Sequence, residues 1–204
     1  YDASYTQYRV SRVWEQEENG TPPSGFNIGN EIIGETNILN NANDGLNAGS
    51  HGTHVAGISS GSGSVLSNSY KGVAYESEIV FVPSTLQTTD IADGISYIFD
   101  YANSVNKPAV VNMSLGYHIG PHDGTSFFDL FCDSMAGNGK ILVGSAGNDG
   151  DKNLHLDHDF STNESVYSFI EFPNSSNSSN GESIVDIWGQ AGSDFEIKVS
   201  VYNT

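Results

Sequence analysis

Two histidines stand three residues apart in the stretch His51-Gly52-Thr53-His54-Val55-Ala56-Gly57-Ile58. Imidazole changes charge near neutral pH, so it can take up a proton and return it within one reaction. On one reading His51 is a general base at the start of a buried helix. Gly52 then lets another backbone come close, while Val55, Ala56 and Ile58 anchor the helix and His54 packs within it. On the other reading His51 and His54 pinch a metal ion. A zinc-peptidase helix, however, carries His-Glu-x-x-His with a glutamate as base. Here the spacing is three and no glutamate lies between the histidines.

Two further stretches stand out in order after it: Asn112-Met113-Ser114-Leu115-Gly116 and Ser145-Ala146-Gly147-Asn148-Asp149-Gly150. Each closes an apolar run. Ala109 to Ser114 and Lys140 to Ser145 read as buried strands, as does Glu78 to Val82, which Pro83 ends. Between them, Ile91, Ile95, Ile98, Phe99 and Ala102 recur at helical spacing after Thr88-Thr89-Asp90, a candidate cap. A second helix runs from about Ser126 to Ala136, with Phe127, Phe128, Phe131 and Met135 buried and Cys132 a small apolar residue among them. Strands alternating with helices predict an α/β fold with a doubly wound parallel sheet. In such a sheet, ligands bind beyond the carboxyl ends of the strands. Upstream, Tyr8 to Trp14 reads as a strand, and the rest of residues 1–46 carries little pattern.

The 204 residues carry 25 acids against 7 bases, a net charge of -18. This charge disfavours nucleic acid and anionic membrane, so neither is expected as a partner. The single cysteine, Cys132, rules out an internal disulfide and a multi-cysteine zinc site. Tyr1 opens the chain without a methionine or a signal-peptide pattern, which leads us to expect a processed or cut segment.

Taken together and in this order, the three motifs resemble those of the subtilisin-like serine proteases, the subtilases, over roughly residues 44–150. The resemblance implies a serine endopeptidase with a peptide or protein substrate, acting outside the cell or in the cell envelope. It makes His51 the catalytic base and Asn148 the side-chain donor of the oxyanion hole. Ser114, Leu115 and Gly116 become the edge that pairs with substrate backbone by β-augmentation. Ser145, Ala146 and Gly147 become the facing wall of the specificity pocket, and no metal is needed. Glycines at 116 and 147 would let the substrate approach.

Two family elements are absent from these residues. No Asp-Ser/Thr-Gly motif precedes His51: Asp2-Ala3-Ser4 lacks the glycine, and Asp44-Gly45 stands only seven residues before the histidine. No Gly-Thr-Ser follows Asn148. Gly124-Thr125-Ser126 has the letters but precedes Asn148, so Ser126 reads as a helix cap. The expectation is that the acid lies before Tyr1 and the serine beyond Thr204, so that the remaining part of the same protease is a partner. The alternatives are a subtilase-like pseudoprotease and a peptide- or protein-binding module without catalysis.

After Gly150 the pattern changes. Val166 to Phe172, Ser183 to Trp188 and Phe195 to Tyr202 read as antiparallel strands, with Asn174 to Asn180 as a turn. Residues 1–152 are therefore expected to form a partial subtilisin-like catalytic domain. Residues 153–204 are expected to form a β-rich insertion, the start of a jelly-roll of the kind that one subtilase branch carries between the oxyanion asparagine and the serine. No cofactor is expected. The cluster His155, Asp157, His158 and Asp159, with Asp149 and Asp151, keeps calcium as an alternative to a solvated loop. His118, His122 and Asp123 follow the second motif and could line a substrate cleft.

Overall fold

The computed structural model describes residues 1–2, 4, 6–42, 51–63, 70–161, 164–170 and 184–200. Asp44, the turn at 174–180, Phe172 and residues 201–204 lie outside them. The chain divides into two units: residues 1–115 with 127–145, and residues 116–126 with 146–204.

The first unit opens on strand β1 (Val10–Glu15), which lies between β2 (Asn30–Ile33) and β3 (Ile79–Phe81). The β1–β2 pair is antiparallel, with Val13 opposite Ile32, and β1–β3 is parallel. Alternation along β1 sends Val13 to one side and Trp14 to the other. Val13 joins Ile32 and Ile38 of helix α1 (Glu35–Asn41) in one buried cluster. Trp14 is fully buried, with its ring centroid 4.6 Å from that of Phe26 and 5.1 Å from that of Tyr97. Its indole N–H donates to the Ile28 carbonyl at 3.1 Å. Gly29 makes this seat possible: its φ is +83°, and a Cβ there would lie 2.4 Å from Trp14 Nε1.

The second core of this unit belongs to the α/β rhythm. Strands β4 (Ala109–Met113) and β5 (Lys140–Gly144) pair in parallel, Val111 opposite Leu142. Helices α3 (Thr88–Ser104) and α4 (Phe127–Met135) cover one face of that pair. Ile95, Phe99 and Val111 are its buried centre, and Ile91, Ile98, Phe128, Phe131, Cys132, Met135 and Leu142 pack around them. Val110, Ile141 and Val143 point to the opposite face, where they are exposed.

Several expectations are corrected. Among the described residues the strands form two sheets, not one parallel sheet, and β1–β2 is antiparallel. Phe127 is 94% exposed, because it precedes the residues of α4 that face the core. Thr88 is already inside α3; Gln87 is its cap and makes no side-chain cap bond. Residues 151–161, 164–170 and 184–200 contain no strand. Their apolar residues, Ile184, Val185, Ile187, Phe195 and Ile197 among them, stay exposed, since alternation needs a second sheet to bury against.

Charge ties β1 to α3. Glu31 Oε1 accepts from Arg12 Nη1 at 2.6 Å and from the Tyr97 hydroxyl at 2.7 Å. Arg12 also lies over the Tyr101 ring, 4.6 Å from its centre. Glu78 accepts from Ser11, Tyr101 and Lys107. Burial alone would raise the Glu78 carboxyl, but these three donors outweigh it and hold its pKa down to about 2.

Candidate active site

His51 is the first residue of helix α2 (His51–Ser60). Its Nε2 lies 3.1 Å from the Ser114 carbonyl oxygen, just past the carboxyl end of β4. The Asn112 side-chain amide donates to Ser114 Oγ at 3.1 Å, which steadies that strand end. Beside it, past the end of β5, Ser145 Oγ donates to the Leu115 carbonyl at 3.0 Å. The first unit thus brings His51, Ser114, Leu115 and Ser145 together at the carboxyl ends of its parallel strands, where an α/β sheet binds ligands.

A carbonyl only accepts, so a hydrogen bond at this contact requires the Nε2–H tautomer. A general base needs that nitrogen bare. A carboxylate accepting from Nδ1–H is what selects the bare form in Ser-His-Asp catalysis.

The environment of α2 differs from the expectation of a buried helix. None of its residues is buried: Val55 and Ala56 are half-buried, Ile58 is 59% exposed, and His54 faces solvent. Nothing approaches the position a Cβ would take at Gly52. Backbone bonds hold the helix at its far end instead. Val73 N–H donates to the Ile58 carbonyl at 3.1 Å, Ala74 N–H to Ser59 at 2.8 Å and Gly72 N–H to Gly61 at 2.8 Å. The buried Arg9 guanidinium fastens this region, donating to Ser62 Oγ at 2.8 Å and to the Ser77 carbonyl at 2.8 Å. Sequence reasoning passed over Arg9, because a buried arginine 42 residues before His51 leaves no local signal.

Gly116, Ala146, Gly147 and Asn148 fall in the second unit, where Gly147 adopts the left-handed conformation at φ +78°. In that unit His118 Nε2 lies 2.9 Å from Asp149 Oδ2. The Gly120 amide donates to Asp186 Oδ2 at 2.7 Å. The Trp188 indole, this amide and the charge of His122 all pull the Asp186 carboxyl below the usual range. His158 pairs with Glu164 at 3.2 Å. Among the described residues, no three His, Cys, Asp or Glu side chains converge as a metal site. None of their helices is long and apolar enough to cross a membrane.

A profile of the subtilase family matches residues 27–186, more than three quarters of the chain. The chain belongs to the subtilase family. A solved structure described as the Clostridium perfringens CspB protease is similar to it, at 27% identity and a TM-score of 0.60. The match covers 75% of this chain and 33% of that one, so this chain spans about a third of that protein's length. The resemblance read from the histidine, serine-glycine and asparagine motifs thus holds for the family. The chain is a segment related to the subtilase-family serine proteases.

Proposed function

We propose that this chain is part of a subtilase serine endopeptidase that cleaves peptide bonds by a Ser-His-Asp mechanism. The acid and the serine are supplied by parts of the protein outside these 204 residues. The observation that carries the reading is the His51 ring at the start of α2, 3.1 Å from the Ser114 carbonyl at the strand ends. In the reaction His51 Nε2 takes the serine proton as Oγ attacks the substrate carbonyl. It then gives that proton to the leaving amine, and an acyl-enzyme remains. Asn148 donates its amide to the oxyanion of the tetrahedral intermediate. Substrate backbone pairs with Ser114–Gly116, and Ser145–Gly147 forms the facing wall.

The reading extends to the whole chain. Residues 1–152 are part of the catalytic domain. Residues 153–204 belong to an insertion in that domain, whose alternation at Phe195, Ile197 and Val199 suits a β-rich, jelly-roll type sheet, although their described residues form no strand here. The protein works outside the cell or in its envelope, on peptide or protein, without a cofactor. Its charge of -18 disfavours nucleic acid and anionic membrane.

The test uses the full-length protein. Wild type hydrolyses a protein substrate and takes up a fluorophosphonate label, and His51→Ala abolishes turnover while circular dichroism is unchanged. Turnover that survives His51→Ala overturns the mechanism. Substrate binding without turnover in wild type instead establishes the pseudoprotease. The 204-residue chain alone neither cleaves nor labels, and labelling of it lost in Ser126→Ala would make Ser126 the nucleophile.

A further inference from the structure

The loop carrying Asn148 is fastened at few points among the described residues. Gly147 precedes it with φ +78° and open space around its Cβ position, and Gly150 follows within the same turn. The Lys152 amide closes that turn on the Asp149 carbonyl at 2.9 Å. Among the described residues, one fixed point outside the turn is the Asp149 carboxylate, 2.9 Å from His118 Nε2. A carboxylate accepts, so His118 donates. His118 stands two residues past Gly116, the last residue of the proposed substrate edge. Its own loop is fastened a second time, by the Gly120 amide on Asp186 Oδ2 at 2.7 Å. One pair therefore links the residue next to Asn148 with the loop leaving Gly116.

The side chains of this pair are 62% and 42% exposed, so it adds little to global stability. Its effect is local. A group displaced by about 1 Å from its reacting partner can cost about 10²-fold in rate. We infer that His118 and Asp149 are positioning residues that aim the Asn148 amide, and that opening their bridge weakens the oxyanion hole without unfolding the protein. This rests on the reading of Asn148 as oxyanion donor.

Two measurements test it. In the full-length protein, His118→Ala should lower kcat about tenfold, with KM and melting midpoint unchanged. His118→Gln, whose amide can still donate to Asp149, should restore most of kcat. In the 204-residue chain, which needs no activity, the Asn148 side-chain amide resonance should move in His118→Ala and return in His118→Gln. An unmoved Asn148 resonance, or an unchanged kcat in His118→Ala where Asn148→Ala does lower kcat, overturns the positioning role. A fall in melting midpoint matching the loss of kcat, with no rescue by glutamine, also overturns it in favour of a structural role. If Asn148→Ala leaves kcat unchanged while its resonance still follows His118, the oxyanion reading fails and the bridge stands.

Discussion

Ser145 Oγ donates to the Leu115 carbonyl at 3.0 Å, and so joins the two chain segments that leave the parallel strands β4 and β5. Register alone would leave these ends to fray, because the last paired residues are Met113 and Gly144. Removing the hydroxyl in Ser145→Ala should lower stability by about 1 kcal/mol, the net worth of one such bond. Urea unfolding should show a lower midpoint with an unchanged slope.

The two phenylalanines Phe99 and Phe127 should behave oppositely. Phe99 is 0% exposed at the centre of the α3–β4 core, while Phe127 is 94% exposed. Phe99→Ala should cost about 3–5 kcal/mol in transfer and cavity terms. Phe127→Ala should stay within about 0.5 kcal/mol. Equal effects in thermal unfolding would contradict this packing.

Gly72 lies where residues 72–74 bond to the end of α2, and a Cβ there would sit 2.6 Å from the Gly61 backbone nitrogen. That contact is with backbone, so it cannot be relieved by a rotamer change. Gly72→Ala should destabilise by about 1–3 kcal/mol. In the full-length protein it should also lower kcat, read by steady-state kinetics beside a denaturation curve.

Stability should depend on pH through Glu78. Its folded pKa is depressed from 4.5 to about 2 by Lys107, Ser11 and Tyr101, against the opposing effect of burial. The carboxylate then stabilises the fold fully above its unfolded pKa. The contribution is lost as pH falls from about 4.5 toward 2. Solvent screening reduces it to about 1 kcal/mol. The stability gap between wild type and Glu78→Gln should be flat above pH 5 and close toward pH 2 in urea titrations.

Asn148→Ala in the full-length protein should lower kcat by roughly 10²–10³ with little change in KM. That magnitude is the one known for the oxyanion asparagine of subtilisin. A change in KM alone would mean that Asn148 binds ground state and transition state equally.

Segments that bury one face at their own period were legible in the sequence. Ile91, Ile95, Ile98 and Phe99 announce α3, and the apolar runs at 109–113 and 140–144 announce β4 and β5. Strand β2 and helix α1 were not. In β2 the polar Glu31 points inward to Arg12 and Tyr97, and α1 buries only Ile38. The motif at His51 was readable, but its exposure was not. His118 and Asp149 are 31 residues apart, and a contact across space has no period along the chain.

Among the described residues, helix α2 buries none of its own, and its backbone is bonded to residues 72–74 at the end opposite His51, whose ring meets the Ser114 carbonyl. Mechanically it is a lever. At 1.5 Å per residue its working arm, from Ser60 back to His51, is about 14 Å long. A tilt of about 5° at the bonds from residues 72–74 would swing the imidazole by about 1 Å, enough to break a hydrogen bond. A shift of Arg9 or of the chain around Gly72 is therefore expected to reach the ring, although neither touches it.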